Sequence, residues 1–411
     1  MKDSWFNTIK QSKFCIHHND DASNINNSLD PEIEAIFPST EGIRARTEIQ
    51  SWEKYSPTPL HSIDSLANEL GVSKIALKDE SSRFGLGSFK ALGGAYAVYC
   101  VLSNLIGEST GKTNVTSSEL RSGIYKGLTR DEIVVTATDG NHGKSVAWGA
   151  QEFGCSCKIY INAEVSKGRE KAIAAYGCEM VRIDGDYDES VRQADRDAKK
   201  NGWHLVADTS YMGYRQIPAL VMQGYTMIAS EIGNQLKDEI PTHVFLPGGV
   251  GGVAAAVSAE MWRIWKNNCP YITIVEPKAA DCLFQSCIAK TPTNSSGDLK
   301  TVMACLSAGE VSLLAWEILS KSANSFMVLS DCIIAPTMWR LAQENIVSGE
   351  SGAASLAGLS AIAFDAKARK TMGIDKNSRI LILSTEGATD PQIYQQLVGM
   401  DPSKLSTNHS V

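Results

Sequence analysis

The sequence predicts an α/β fold of two domains, each an open, twisted, mostly parallel sheet flanked by helices. From about residue 72 onward, short apolar β-rich runs alternate with longer stretches in which apolar residues recur about every 3.6 positions. Glycine-rich turns repeatedly separate the two patterns, which is typical of βαβ units. The length of 411 residues also suffices for two separate hydrophobic cores.

Six apolar runs carry this pattern, and most of them lead into a turn and then a helical stretch. In order they are KIALKDE (74–80), EIVVTATDGNHG (132–143), CKIYINAE (157–164), THVFLPGGVGG (242–252), YITIVEP (271–277) and RILILSTEG (379–387). Strands that are joined by helices run parallel and are covered on both faces, so the runs predict parallel sheets. Gly154 and Gly177 each follow an apolar helix face and are predicted to end helices.

Composition argues against several kinds of partner. The net charge is −7 and no block of Lys and Arg occurs, which argues against nucleic acid or an anionic membrane surface. The segment MKDSWFNTIKQSK lacks the apolar core of a signal peptide, and no apolar run reaches the roughly 18–20 residues of a membrane span. We therefore expect a cytoplasmic protein that does not cross a membrane.

Cysteine and histidine spacing gives no sign of a disulfide framework or a metal site. The ten cysteines and seven histidines are scattered, and neither a CxxC pair nor an HExxH motif occurs. Cys155 and Cys157 lie two apart in a strand-like run and could share one face. We expect buried, reduced thiols and no bound metal.

The stretch PGGVGGVAAAV (247–257) is a candidate anion-binding turn between a strand and a helix. Its turn residues are Gly248, Gly249, Val250, Gly251 and Gly252. Glycines let successive N–H groups approach one ligand, and the helix N-terminus behind them favours a phosphate. Two alternatives are a tight turn without a ligand and a dinucleotide site, because residues 249–254 also fit GxGxxG/A and Glu276 ends the next strand.

The stretch TATDGNHGKSVAW (136–148) is a second strand–helix turn that could bind a ligand. Its residues of interest are Thr138, Asp139, Gly140, Asn141 and His142. Backbone N–H groups at this helix start could bind a substrate carboxylate, and the Asn141 amide could donate to a phenolate oxygen. Asp139 fits either a helix N-cap or a chemical role.

Lys90 lies in SSRFGLGSFKALGGAYAV (81–98), between Phe89 and an apolar helical pattern. With Ser88 as N-cap, the lysine falls in the first turn of a helix. The positive helix end and apolar neighbours both disfavour an ammonium ion, which predicts a lowered pKa for Lys90. A neutral amine is the form that makes Schiff bases, whereas a lysine that reaches solvent is the alternative.

Ser384 closes the apolar strand of LILSTEGATD (381–390). A hydroxyl in that place could hydrogen-bond a heterocyclic nitrogen. The alternative is an ordinary turn or N-cap serine.

The four turns, in the order SFK, DGNHG, GGVGG and LST, resemble the landmarks of fold-type II pyridoxal-phosphate enzymes, the group of the tryptophan synthase β-subunit and the serine–threonine dehydratases. The resemblance spans roughly residues 50–395. It also disfavours a nicotinamide cofactor, because a dinucleotide-binding fold gives no reason for Lys90 or for DGNHG.

Within that group the chain is most similar to the diaminopropionate ammonia-lyases. The similarity lies in ESSRFGLGSFKALGG, in Asp139 where serine and threonine dehydratases carry Ser, and in ADTSYMGYRQIP (207–218), which supplies Asp208. Two later segments, TVMACLSAGEVSLLAWEIL and SGESGAASLAGL, are also similar to that family.

The resemblance implies how the residues would bind pyridoxal 5′-phosphate. Lys90 would hold the cofactor as an imine, and N–H groups of the five turn residues 248–252 would bind its phosphate. Asn141 would contact the ring hydroxyl and Ser384 the pyridine nitrogen. Because a hydroxyl partner leaves that nitrogen unprotonated, electron withdrawal would be moderate and would favour β-elimination.

It also implies a reaction, the elimination of ammonia from 2,3-diaminopropionate through an aminoacrylate to give pyruvate and a second ammonia. The substrate carboxylate would rest on Thr138, Gly140 and His142. Lys90 and Asp139 would take the Cα proton from opposite enantiomers. Asp208 or Asp139 would favour the ammonium form of the leaving amine.

Three other activities stay open from the sequence. They are a dehydratase for serine, threonine or 3-hydroxyaspartate, a β-replacing synthase, and a cofactor-binding relative that has lost catalysis. The complete set of candidate residues disfavours the last.

The same resemblance implies a homodimer with a cofactor bound between two domains. We expect a polar N-terminal arm at 1–49, mobile or wrapped on the surface, and a frayed tail at 396–411. The large domain would combine 50–110 with 216–395. The small domain, 111–215, would be inserted into it and could move over the substrate.

Overall fold

The computed structural model describes residues 2–23, 30–138, 140–185 and 187–405. The strands, numbered in chain order, are β1 Phe14–His18, β2 Leu60–Ser62, β3 Lys74–Asp79, β4 Ile133–Ala137, β5 Ser156–Ile161, β6 Glu179–Arg182, β7 His204–Leu205, β8 His243–Pro247, β9 Tyr271–Pro277, β10 Ser325–Leu329 and β11 Arg379–Ser384.

The helices are α1 Lys2–Gln11, α2 Asp20–Ser23, α3 Pro31–Ile36, α4 Ser39–Gln50, α5 Asp64–Leu70, α6 Lys90–Thr110, α7 Ser117–Ser122, α8 Lys126–Thr129, α9 Asn141–Phe153, α10 Lys167–Ala174, α11 Tyr187–Asn201, α12 Gln216–Leu236, α13 Gly252–Trp265, α14 Cys282–Ala289, α15 Leu313–Ser322, α16 Ile334–Ala342, α17 Ala354–Ala363, α18 Ala366–Met372, α19 Pro391–Val398 and α20 Pro402–Leu405. The predicted helix end at Gly154 is confirmed, since this residue caps α9 in the left-handed conformation. The end of α10 lies earlier than predicted, because Ala175 is its C-cap and Gly177, also left-handed, comes two residues later.

The chain divides into two compact units. Unit 1 draws on residues 1–36, 57–82 and 228–411, and unit 2 on residues 37–56 and 83–227. Each unit holds one sheet and its own helices, so the predicted α/β class with two mostly parallel sheets is confirmed. Unit 2 includes residues 37–56, 83–110 and 216–227 besides the span 111–215 of the predicted small domain, and within it α6 packs along α9.

Unit 1 contains a seven-stranded sheet in the order β1-β10-β9-β8-β11-β3-β2. The five inner strands are parallel, and β1 and β2 add antiparallel edges. All residues of β8 and β10 are buried, as expected of strands covered on both faces. Since Ile382 of β11 lies opposite Phe245 of β8, the carboxyl ends of these two strands meet at one edge of the sheet.

The N-terminal residues are part of this unit's core, which corrects the prediction of a mobile or surface-wrapped arm. Trp5 and Ile9 of α1 are 1% and 2% exposed and belong to a hydrophobic core cluster of this unit. The rings of Trp5 and Phe6 both pack against Phe364. The polar composition of this segment gave no sign that it contributes to the core, because only a few positions of α1 face inward.

Unit 2 contains a four-stranded parallel sheet in the order β6-β5-β4-β7. Helices α6 and α9 lie against each other at very close range. A Cβ atom on Gly149 would come within 2.8 Å of the Ala95 Cα atom, and one on Gly94 within 2.4 Å of the Ser145 hydroxyl oxygen. Glycine at these two positions is therefore what permits the contact.

Two further observations bear on the sequence predictions. Within the described ranges, no helix has the combination of length and apolar character that crossing a bilayer requires. None of the ten cysteines, all of which lie among the described residues, forms a disulfide. Cys15, Cys305 and Cys332 are exposed, so the expectation of buried thiols is wrong for these three.

Candidate active site

Lys90 is the first residue of α6, which confirms its predicted place in the first helical turn. Phe89, not Ser88, occupies the N-cap position, and no side chain caps the helix there. The Lys90 carbonyl oxygen accepts a 2.7 Å hydrogen bond from the hydroxyl of Ser145 on α9. This bond fixes the start of α6 on the neighbouring helix.

The small residues after Lys90 have a structural reason. A Cβ atom on Gly93 would lie 2.5 Å from the ring of Tyr225, and one on Gly224 would lie 2.3 Å from the Leu92 carbonyl oxygen. These distances leave no room for any side chain other than hydrogen. The glycines let α6 lie directly against α12, and so place Lys90 among buried groups.

Lys90 forms an ion pair with Asp208, in which its Nζ atom donates to Oδ2. Asp208 follows β7, and both side chains are largely shielded, with 18% and 15% exposure. Burial alone would raise the pKa of Asp208, but the charge and hydrogen bond of Lys90 outweigh it and hold that pKa well below its usual range. The sequence predicted apolar surroundings for Lys90, whereas the structure adds a carboxylate, which favours the charged form of an amine.

His142 lies next to this pair in the first turn of α9. Its Nε2 atom is 2.8 Å from the Val206 carbonyl oxygen, and its Nδ1 atom is 3.8 Å from Asp208 Oδ2. Burial lowers the pKa of His142 more than the nearby carboxylate raises it. The ring is therefore neutral, Nε2 carries the proton, and buried Nδ1 has no hydrogen-bond partner among the described residues.

The rest of the DGNHG turn is organised by Thr138. Its hydroxyl accepts from the N–H groups of Gly140 and Gly143, at 3.0 and 3.1 Å. Asn141, which the sequence analysis expects to contact a ring hydroxyl, is the first residue of α9. Asp139, predicted to be catalytic, lies outside the described residues.

The glycine-rich loop lies in unit 1, between β8 and α13. The Gly248 N–H donates to the Val275 carbonyl oxygen at 2.7 Å, so this group is already bonded within the sheet. In the part of the chain that the structure describes, no acceptor bonds the N–H groups of Gly249, Val250, Gly251 or Gly252. Four N–H groups without acceptors, at the N-terminus of a 14-residue helix, fit a phosphate group.

Ser384 lies at the same edge of that sheet, because β11 and β8 are neighbours and run parallel. It is 1% exposed, and its hydroxyl donates to the Ser348 hydroxyl at 2.8 Å. Ser348 comes from the loop before α17. A pair of buried hydroxyls offers both a donor and an acceptor to a ligand, which fits a heterocyclic nitrogen.

Glu276, the candidate ribose-binding acid, has another use. Its two carboxylate oxygens accept from the N–H groups of Leu283 and Phe284, at 2.8 and 2.7 Å. These contacts cap the start of α14, and burial raises the pKa of Glu276. A carboxylate that already holds two N–H donors is not placed to bind a ribose.

The predicted residues therefore form two sets, one in each unit. Unit 2 brings together Lys90, Asp208 and His142, and unit 1 brings together the glycine-rich loop and Ser384. The sequence missed four contributors, Ser145, Val206, Tyr225 and Ser348. Each lies tens of residues or more from its partner along the chain. Ser145 and Ser348 fall in segments that the sequence analysis quoted, but nothing in those segments indicates their partners.

Among the described residues, no group of three His, Cys, Asp or Glu side chains is close enough to hold a metal ion. The two sets have the chemistry that pyridoxal phosphate needs, a lysine amine in one and acceptor-free N–H groups with buried hydroxyls in the other. The residues present thus fit an aldehyde cofactor that carries a phosphate.

Comparison with known proteins gives the same result. Residues 52–386 match the family described as "Pyridoxal-phosphate dependent enzyme". The chain is 37% identical, over 386 residues, to a diaminopropionate ammonia-lyase of Escherichia coli (strain K12), a match that covers 91% of this chain and 95% of that protein.

Solved structures of the Escherichia coli enzyme resemble this chain over most of its length. The holo form with incorporated selenomethionine matches with a TM-score of 0.84 and 35% identity, over 94% of this chain and 97% of that chain. The complex with an aminoacrylate-PLP azomethine reaction intermediate matches with a TM-score of 0.82 and 34% identity, over the same shares.

Proposed function

This chain belongs to the family of pyridoxal-phosphate-dependent enzymes, and we propose that within it the chain is an ammonia-lyase that converts 2,3-diaminopropionate and water into pyruvate and two molecules of ammonia. Pyridoxal 5′-phosphate is its cofactor. When bound, this cofactor withdraws electrons from the substrate Cα and so makes the Cα proton acidic.

The residues that would hold the cofactor follow from the two sets. Lys90 would hold it covalently through Nζ, and the N–H groups of residues 249–252 would bind its phosphate. The buried hydroxyl of Ser384 would contact the ring nitrogen, and the Asn141 amide the ring hydroxyl. All four contacts use groups whose chemistry matches the part of the cofactor they would face.

The observation that carries the substrate assignment is the Lys90–Asp208 pair. The β-substituent of 2,3-diaminopropionate is an amine, which is cationic before it leaves. A largely buried carboxylate attracts such a cation, whereas the neutral hydroxyl of serine gains little from it. Asp208 thus favours a β-amino substrate over a β-hydroxy one.

Proton transfer falls to three side chains. The Lys90 amine would take the Cα proton of one enantiomer, and the Asp139 carboxylate that of the other. Asp208 would keep the leaving amine protonated until the Cβ–N bond breaks. The substrate carboxylate would bind at the 138–142 turn, where Thr138 orders the backbone.

A substrate panel tests the proposal and separates it from a dehydratase. Both enantiomers of 2,3-diaminopropionate, serine, threonine and 3-hydroxyaspartate are incubated with the holoenzyme, and oxo acid and ammonia are quantified. We expect two ammonia per pyruvate from 2,3-diaminopropionate, at a kcat/KM at least about 100-fold above that for serine. Comparable or better turnover of a hydroxy amino acid would instead show a dehydratase.

Two further measurements complete the test. Adding thiols should leave the pyruvate yield unchanged, since a β-replacing synthase would divert product into a thioether. Borohydride reduction followed by mass mapping should find the cofactor on Lys90. An adduct on another lysine would refute the assigned attachment site.

We also infer a homodimer from the family resemblance, which sedimentation of the holoenzyme would test. The cytoplasmic location stays a prediction from the sequence.

A further inference from the structure

The Nδ1 atom of His142 is a buried acceptor for which the described residues supply no donor. The Nε2–H group of this ring donates to the Val206 carbonyl oxygen, which fixes the tautomer and the ring orientation. Nδ1 then presents a lone pair to Asp208 Oδ2, 3.8 Å away. Two acceptors face each other with no proton between them, an arrangement that costs free energy as long as it lasts.

The ion pair explains how this arrangement is tolerated. Asp208 is ionised because Lys90 donates to it. An amine that acts as a nucleophile or base must be uncharged for part of its cycle. When the Lys90 ammonium gives up its proton, and before the cationic β-amine of a substrate reaches Asp208, the charge that keeps Asp208 ionised is absent, while the burial that favours its neutral form remains.

We propose that Asp208 and His142 form a store for the proton that Lys90 sheds, in which the protonated Asp208 carboxyl donates to His142 Nδ1. In the transfer one N–H bond of Lys90 breaks and one O–H bond of Asp208 forms, so no proton is lost to solvent. The new O–H group then closes the gap to Nδ1. His142 is a positioning residue, because it acts through Asp208.

This inference rests on the proposed function in one respect only, that Lys90 must become uncharged. The ionisable groups that face the pair among the described residues are Lys90, Tyr225 and Tyr214. Burial raises the pKa of both tyrosine hydroxyls, so they stay neutral and do not compete for the proton.

The two amide analogues of histidine separate the roles of its nitrogens. In His142→Asn the side-chain oxygen can stand in for Nδ1 and accept from Asp208, but the bond to Val206 is lost. In His142→Gln the amide N–H can stand in for Nε2 and keep the bond to Val206, but no acceptor faces Asp208. If His142 has a purely structural role, His142→Asn should impair the enzyme more than His142→Gln does. If His142 is part of a proton store, His142→Gln should impair it more.

The direct test places Lys90→Met in the full chain and needs no substrate. Infrared difference spectra over a pH series should show the C=O stretch of a protonated carboxyl group near neutral pH. This band should be absent from the wild type and from the Lys90→Met, Asp208→Asn double variant. Adding His142→Gln to Lys90→Met should lower the proton affinity of the Asp208 carboxylate about tenfold, and adding His142→Asn should change that affinity much less.

Three results would overturn the store. They are no carboxyl band in Lys90→Met, a band whose pH midpoint His142→Gln leaves unchanged, or ¹⁵N shifts that place the proton on the His142 ring. Failure of the proposed function is a separate outcome, because it would appear as absent turnover of 2,3-diaminopropionate by the wild type.

Discussion

The hydroxyl of Ser145 donates to the Lys90 carbonyl oxygen at 2.7 Å and accepts from the Ala95 N–H at 3.1 Å. One side chain of α9 thus holds the backbone of the first turn and a half of α6 in place by two hydrogen bonds. The candidate nucleophile does not rely on its own helix cap, which is absent, but on a neighbour 55 residues away. Its position therefore depends on the packing of two helices.

That packing should be sensitive to one added carbon. Gly94→Ala would bring a Cβ atom within 2.4 Å of the Ser145 hydroxyl, so we expect about 1–3 kcal/mol of destabilisation and a larger loss of turnover. Gly127→Ala is the matched control, because nothing lies within 4 Å of that position. Urea unfolding and kcat of both variants would check this, and equal behaviour of the two would contradict the close helix contact.

Asp208→Asn should abolish the preference for a cationic β-substituent. We expect kcat/KM for 2,3-diaminopropionate to fall by at least about 100-fold, and that for serine to fall much less, because only the first substrate needs the negative charge. The absorbance of the bound cofactor should persist. A uniform loss for both substrates would show that Asp208 serves another purpose.

Asp139→Asn should cut elimination of at least one enantiomer of 2,3-diaminopropionate by orders of magnitude, since the substitution removes a base without removing a side chain. The bound-cofactor absorbance serves as the internal control. Near-normal turnover of both D- and L-substrates would refute a catalytic role for this residue.

The glycine-rich loop should tolerate no side chain at Gly251. This residue has φ of +98°, in the left-handed region, and a Cβ atom there would lie 3.1 Å from the Ala315 Cβ atom. We expect Gly251→Ala to weaken cofactor binding by about 10–100-fold, as the N–H groups lose their alignment. Gly233→Ala, where the nearest atoms lie at 3.4 Å, is the control. Titration of the apoenzyme with pyridoxal phosphate would measure both.

His243 should make unit 1 sensitive to acid. Burial lowers its pKa, and its Nε2–H donates to the Met372 carbonyl oxygen at 2.9 Å. Since the unfolded chain binds a proton at higher pH than the folded one, stability should fall as the pH drops below the ordinary histidine value of 6.5, until the lowered folded pKa is reached. Urea midpoints at about pH 7.5 and about pH 5.5 should differ less in His243→Gln. An unchanged difference would exclude His243 as the source.

The N-terminal helix should be needed for stability. Trp5 is 1% exposed in a hydrophobic core cluster of unit 1, so Trp5→Ala should cost about 3–5 kcal/mol. Truncation of Ile43, which is 53% exposed, to Ala should cost far less. A Trp5→Ala variant as stable as Ile43→Ala would support the original prediction of a loose arm.

Local patterns predicted the elements and much of the site. Apolar runs gave the inner strands, and the turns after them placed Lys90, the DGNHG segment, the glycine-rich loop and Ser384 at strand or helix ends. The order of the motifs predicted the cofactor, because each motif could bind a different part of pyridoxal phosphate.

Contacts between distant segments could not be predicted in the same way. Lys90 and Asp208 form an ion pair although they lie 118 residues apart in the sequence. Ser384 and Ser348 are hydrogen-bonded although they lie 36 residues apart. A mostly polar segment, such as the one around Trp5, can still form a helix with one buried face. Such relationships depend on tertiary packing, which periodicity along the chain does not encode.

The strand order of unit 1 has a consequence for how the chain is made. Among the strands that the structure describes, β11 is the last to leave the ribosome, yet it lies between β8 and β3, in the interior of the sheet. Unit 2, whose last residue is 227, has all its strands earlier and can fold while synthesis continues. The seven-stranded sheet cannot close until β11 has been made, so a chain that stops before residue 379 would leave two half-sheets, each with an exposed inner edge.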